Sequence, residues 1–108
     1  MKLMTKALAA KLPPLYSTEN VKAEDKIAVM KFFDPCGRYT FYVVEGEPDP
    51  EYGYQFFGYC VSALGSDCDE WGYQVLSELE KVRSRCGLGI ERDLHWTPKK
   101  MSEVLKGR

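Results

Sequence analysis

The chain has 108 residues, of which 44% are hydrophobic and 29% are charged, and its formal net charge is −1. This length predicts one domain over residues 1–108, and this composition excludes the fibrous and disordered classes. No apolar run reaches the roughly 20 residues of a membrane-spanning helix, and Lys6 and Lys11 interrupt the apolar start, so we expect a cytoplasmic protein that binds no membrane.

In chain order, the sequence predicts a helix, four strands, a second helix, a fifth strand and a third helix. Thr5 is a typical N-cap for the first helix, which Pro13 and Pro14 end after Leu12. Strands are predicted where β-branched and aromatic residues concentrate, and Gly58 within the third strand indicates a bulge or a close approach. The strand segments are 26–33, 38–46, 54–64, 71–76 and 90–96.

The second and third helices are predicted from their ends. Ser77 and Glu80 form an S-x-x-E capping box at the start of a helix over 77–86. Thr97 caps the third helix, in which Pro98 takes the first position. The acidic segment between the second and third strands contains two prolines and predicts a loop. The order α-β-β-β-β-α-β-α therefore predicts an α+β fold, with a mostly antiparallel five-stranded sheet and three helices.

The four cysteines have no C-x-x-C spacing, which argues against a zinc site. No phosphate-binding glycine loop or metalloprotease helix motif occurs either, so we expect no metal and no cofactor. Cys60 and Cys86 lie in apolar patterns typical of a core, whereas Cys36 and Cys68 lie in turn-like segments. Without an export signal, we expect all four thiols to be reduced.

The charges are distributed unevenly along the chain. No Lys or Arg occurs between Tyr39 and Glu80, and that stretch contains nine acids and most of the aromatic residues. Aromatic anchors in an acidic surface are typical of a protein interface. The leading hypothesis is therefore a non-enzymatic protein that binds an unidentified protein partner with a basic surface. The residues predicted to bind it are Tyr52, Asp67, Asp69, Glu70, Trp71 and Tyr73.

An alternative partner is nucleic acid, which needs cations to hold its phosphates. The aromatic strands contain none, so nucleic acid would have to bind at basic residues beyond the acidic stretch. The candidates are Lys81, Arg83, Arg85, Lys99 and Lys100.

A third hypothesis is a small enzyme or metal site near the C-terminal end. Read as a strand, residues 90–96 place Glu91, Asp93 and His95 on one face. A histidine beside carboxylates could transfer protons or bind a divalent ion. The same pattern is also typical of the solvated face of an edge strand.

Four blocks of the sequence resemble a family of small bacterial domains of unknown function. In chain order they are MKLMTKALAAKLPPLYSTEN, VMKFFDPCGRYTFYVVEGE, FFGYCVSALGSDCDEWGYQVLSELEKVR and GLGIERDLHWTPKKMSEVL. That family is carried largely by conjugative plasmids, integrative conjugative elements and phages. The resemblance implies a bacterial cytoplasm and an accessory role in the transfer, maintenance or protection of a mobile genetic element. It supplies no catalytic residues.

Overall fold

A computed structural model of the chain describes residues 2–106. It confirms the α+β class and the predicted order of elements, and it adds a ladder of two short strands. The helices are α1 (Lys6–Ala9), α2 (Leu76–Lys81) and α3 (Met101–Lys106). The strands are β1 (Ile27–Ala28), β2 (Met30–Phe33), β3 (Thr40–Asp49), β4 (Gly53–Val61), β5 (Glu70–Val75), β6 (Glu91–Arg92) and β7 (Lys99–Lys100).

Five strands form one antiparallel sheet in the order β5-β4-β3-β2-β6, and β1 pairs with β7. The long hairpin of β3 and β4 is the centre of the sheet. The carboxylate of Asp49 closes its turn by accepting bonds from the backbone N–H groups of Glu51 and Tyr52. At the β6 edge of the sheet, the Arg92 guanidinium donates to the backbone carbonyls of Lys2 and Leu3, at 2.9 and 3.1 Å.

The sheet is covered on both faces, because successive side chains of β3 alternate between them. Phe41 and Val43 belong to the first core, and Tyr42 and Val44 to the second. The first core also contains Phe32, Phe56, Leu3, Met4 and Leu79, the last of these from α2. The second core also contains Ala28, Val61, Met101 and Val104, the last two from α3.

A β-bulge interrupts the pairing of β3 with β4. The register shifts between Val43 and Glu45, which leaves Val44 as the additional residue. Beside the bulge, a Cβ on Gly58 would lie 2.0 Å from the carbonyl oxygen of Tyr42. The close approach predicted from this glycine is confirmed, since no side chain fits there.

The ends of all three helices differ from the prediction. The first helix ends at Ala9 and not after Leu12. The capping box is wrong, because Ser77 lies inside α2 and the N-cap, Val75, makes no side-chain cap bond. The helix also ends at Lys81. The third helix begins at Met101 and not at Pro98, because the two intervening lysines pair with β1. The predicted Thr5 cap is confirmed by its side-chain bond to the N–H of Leu8. None of the helices within residues 2–106 is long and apolar enough to cross a membrane.

Strand ends differ as well. The predicted loop after the second strand is partly wrong, because β3 continues through Pro48 to Asp49. The strand predicted over 90–96 ends at Arg92, so its second half is not part of the sheet.

Cys36 and Cys86 form a disulfide, which overturns the prediction of reduced thiols for this pair. Cys86 is exposed, so its predicted place in the core is also wrong. The pairing of Phe33 with Glu91 brings the turn after β2 beside the segment before β6. The Cα atoms of Cys36 and Cys86 are therefore 6.1 Å apart although the two residues are separated by 50 positions. Cys60 and Cys68 are free thiols.

Candidate interaction surface

The outer strand β5 carries two of the predicted partner-binding aromatics on the second face of the sheet. Tyr73 lies directly opposite Phe57, and Trp71 lies opposite Tyr59. The ring centroids are 5.0 Å apart for Phe57 and Tyr73, 5.5 Å for Tyr59 and Trp71, and 5.6 Å for Phe57 and Trp71. The four rings form one continuous layer next to the second core. Tyr73 is 47% exposed, so this layer reaches solvent.

Tyr16 extends the layer from the loop that follows α1. Its ring centroid is 6.2 Å from that of Tyr73, and the residue is 60% exposed. Its backbone is left-handed, with φ at 68°, which costs a residue other than glycine roughly 1–2 kcal/mol. A tyrosine held in this conformation indicates that other contacts fix the loop. We call the set of Tyr16, Phe57, Tyr59, Trp71 and Tyr73 the aromatic surface.

Buried Glu45 is the contact that fixes this loop. It is 3% exposed, and it accepts bonds from the backbone N–H groups of Tyr16 and Thr18, at 2.8 and 3.0 Å, and from the Thr18 hydroxyl. Buried Lys26 donates to the carbonyl and the hydroxyl of the same threonine. Thr18 thus bridges a buried anion and a buried cation, an arrangement that satisfies both charges. Sequence reasoning missed Tyr16, and Glu45, the acid directly after the apolar run 41–44, was the signal that could have revealed it.

Replacing Glu45 with alanine is expected to lower the free energy of unfolding by about 2 kcal/mol. Two backbone donors would lose their acceptor, and water would replace it only in part. Glu47→Ala is the matched control, because the carboxylate of Glu47 is exposed and accepts one bond, from the N–H of Leu15 at 3.0 Å. Urea unfolding should give a loss below about 1 kcal/mol for that variant. Equal losses would contradict a special role for Glu45.

The hydroxyl of Tyr73 has a raised pKa. A side-chain hydrogen bond with Tyr16 raises the pKa of Tyr73, and partial desolvation raises it further. The carboxylates of Glu45 and Glu19 act in the same direction. Two carboxylates thus lie near enough to Tyr73 to act on its hydroxyl.

One of the predicted acids, Asp69, holds the protein's own structure together. Its two carboxylate oxygens each accept a bond from the Arg38 guanidinium at 2.8 Å, and one of them also accepts the N–H of Ser62 at 2.8 Å. The hydrogen bond with Asp69 is the main cause that raises the pKa of Arg38. Asp69 therefore anchors the turn before β5 and neutralises Arg38.

The other predicted partner-binding residues lie at opposite ends of β5. Glu70 begins the strand, and Asp67 lies in the 3₁₀ helix Ser66–Cys68 before it; both are exposed. Tyr52 is 40% exposed at the far end, where its carbonyl accepts the N–H of Ser77 at 3.1 Å. The predicted set therefore follows the length of β5, with the aromatic surface between its ends.

Glu91, Asp93 and His95 do not share a strand face, contrary to the prediction. The chain leaves the sheet after Arg92, and one carboxylate oxygen of Asp93 accepts the N–H of His95 at 2.9 Å in a tight turn. The other oxygen is 3.9 Å from Nζ of Lys31. His95 is exposed, and within residues 2–106 no group of three or more histidines, cysteines and acids is placed to hold a metal ion.

The candidate nucleic-acid residues fall into two groups. Lys81, Arg83 and Arg85 are exposed at the end of α2 and after it, and α2 packs on the first face of the sheet. Lys99 and Lys100 form β7, which leads into α3 on the second face. The fold thus separates the two groups and does not join them into one basic surface.

The hydroxyl oxygen of Tyr39 is buried, and it makes no hydrogen bond of good geometry within residues 2–106. It lines an apolar cavity of about 270 Å³ together with Leu79, Val82 and Ile90. Burial raises the pKa of Tyr39, and the Cys60 thiol adds to this effect. Burial also raises the pKa of Cys60. Both groups therefore remain neutral near pH 7, which does not fit an acid–base or nucleophilic role.

The fold and the surface together define a small α+β domain with an exposed aromatic face in acidic surroundings. The chain belongs to the family described as "Protein of unknown function (DUF2958)", which matches residues 3–106. The resemblance to a family of domains of unknown function is thereby confirmed. No curated protein and no solved structure matches the chain.

Proposed function

We propose that this protein is a non-enzymatic accessory protein of a mobile genetic element that binds a basic protein partner through the aromatic surface. One observation carries the proposal: five contacting rings reach solvent, and four of them lie between Tyr39 and Glu80, a stretch without Lys or Arg. Exposed contiguous apolar surface is the usual mark of an interaction site. Tyr and Trp are the side chains that most often anchor protein interfaces.

The charges around the aromatic surface support a basic partner. Asp67 is exposed in the turn before β5, and Glu70 is exposed at the start of this strand, on the face of Gly72. Glu19 acts on the hydroxyl of Tyr73. Lys and Arg bind well over aromatic rings, and neighbouring carboxylates strengthen this attraction. The association should therefore weaken as salt is added.

Tyr16→Gly combined with Trp71→Ala tests this proposal in a capture experiment. The tagged protein is used as bait in nuclease-treated extract of a host that carries the element, and bound proteins are identified by mass spectrometry. A basic partner bound by the wild type is expected to be captured at least about tenfold less well by the double variant. Glycine adopts a positive φ without strain, so the change at Tyr16 removes a ring without straining the loop.

Two controls make the result specific. Tyr16→Phe keeps the ring and should retain capture. Lys99→Gln with Lys100→Gln changes the basic candidates and should also retain it. Capture that survives in the double variant would refute the proposal. Capture by the wild type only from a parallel extract without nuclease treatment would also refute it and would favour nucleic acid.

A further inference from the structure

Strand β5 is an unprotected edge of the sheet. All six of its residues pair with β4, and no strand within residues 2–106 lies on its other side. In an antiparallel ladder, alternate residues turn their N–H and C=O groups toward each neighbour, so half of the backbone groups of β5 point outward. Natural edges are usually blocked by proline, lysine or a bulge. The sequence EWGYQV contains neither residue, and the pairing of β5 with β4 is regular.

The side chains of β5 leave room for another strand. Trp71 and Tyr73 lie on the face of the aromatic surface, and Gly72 lies on the opposite face. A Cβ on Gly72 would meet no atom within 4 Å. The aromatic rings are therefore at the edge itself, where the alternate side chains of an added strand would reach them.

Charge identifies the kind of strand that fits. Exposed acids flank both ends of this edge. Asp67 precedes β5 and Glu70 is its first residue, and Glu51 and Glu78 lie at its far end. Lys81, exposed at the end of α2, is the cation nearest to β5 in sequence, and it follows two acids of the same helix, Glu78 and Glu80. On the other side, Asp69 neutralises Arg38. A second copy of this chain would bring two acidic edges together, which like-charge repulsion opposes. A basic segment meets no such obstacle.

We propose that β5 accepts an extended basic segment of the partner protein as a sixth strand of the sheet. The added backbone supplies the missing hydrogen-bond partners of the edge, and alternate Lys or Arg side chains lie over Trp71 and Tyr73. This inference rests on the proposed function and specifies how the partner is held.

Peptides with selectively blocked amides test this proposal. The probe is a synthetic peptide of about eight alternating Arg and Val residues, the length of an ordinary strand. Two further versions carry N-methyl groups on the Arg amides or on the Val amides. Because alternate amides face one neighbour, only one version blocks pairing with β5. That version is expected to bind at least about tenfold more weakly than the unmodified peptide by fluorescence anisotropy, while the other keeps its affinity.

Protein variants complete the test. Asp67→Lys with Glu70→Lys should abolish peptide binding, whereas the same charge change at Glu24 and Glu103, outside β5 and its flanking turns, should not. If both methylated peptides bind as well as the unmodified one, side chains alone make the contact; the sixth strand is then refuted and the proposed function stands. If no peptide binds but the partner is still captured, an extended basic segment is excluded. A homodimer that the peptide cannot dissociate would assign the edge to a second copy.

Discussion

Breaking the Cys36–Cys86 disulfide is expected to lower the free energy of unfolding by about 4 kcal/mol, the chain-entropy value for a loop of this size. The bond closes a loop across 50 positions of sequence, so it removes many conformations from the unfolded chain. The native contacts should survive, because Phe33 still pairs with Glu91 in the sheet. Urea unfolding with and without reductant measures the difference, and the variant Cys36→Ser with Cys86→Ser should reproduce it.

One of the two free cysteines, Cys68, provides the matched control. Cys68 is exposed and unbonded, so Cys68→Ser should leave the free energy of unfolding within about 0.5 kcal/mol of the wild type. Reductant added to the protein without Cys36 and Cys86 should then have no further effect. A loss below about 1 kcal/mol on reduction would mean that the bond does not constrain the unfolded chain as a loop of this size should.

The variant Gly58→Ala is expected to destabilise the protein by about 3 kcal/mol, at the upper end of overpacking effects. The added methyl group would lie 2.0 Å from the carbonyl oxygen of Tyr42. Backbone atoms cannot move aside as a flexible side chain can. The bulge at Val44 would therefore have to open, and it lies beside Glu45, which holds the loop of Tyr16.

Gly72 is the matched control because it is the direct cross-strand neighbour of Gly58. No atom lies within 4 Å of a Cβ there, and its backbone is not left-handed. Gly72→Ala should therefore be neutral or stabilise the protein by up to about 1 kcal/mol, since it restricts the unfolded chain. Thermal unfolding of the two variants should shift in opposite directions or by clearly different amounts. A Gly58→Ala variant as stable as the wild type would show that the bulge tolerates a side chain.

Much of the sheet could be predicted from the sequence because its strands have strong local signals. The segments around Phe41 and Phe56 are continuous runs of β-branched and aromatic residues, and a strand covered on both faces produces such runs. The sequence signals for helix ends predicted the helices less accurately. Ser77 and Glu80 have the spacing of a capping box, yet the chain turns into α2 two residues earlier, because β5 ends there and Leu79 packs into the first core.

The aromatic surface was predicted only in part. Trp71 and Tyr73 were found because they are aromatic and lie in an acidic stretch. Tyr16 was missed because no local pattern predicts that a loop residue will adopt a positive φ and contact a strand more than fifty positions away. The roles of Asp69 and of the Cys36–Cys86 pair likewise depend on strand register, which brings distant segments together and leaves no trace in local spacing.

The way the two ends of the chain meet affects how the protein can be made. Arg92 donates hydrogen bonds to backbone carbonyls as far as 90 positions away. Strand β1 can pair only after Lys99 and Lys100 have been synthesised. A ribosome adds roughly 5–20 residues per second, so β1 is synthesised several seconds before its partner. During that interval β2 also lacks β6 and remains an open edge. The nascent chain must therefore remain unaggregated during this interval, and the pairing of β1 follows synthesis of Lys99 and Lys100.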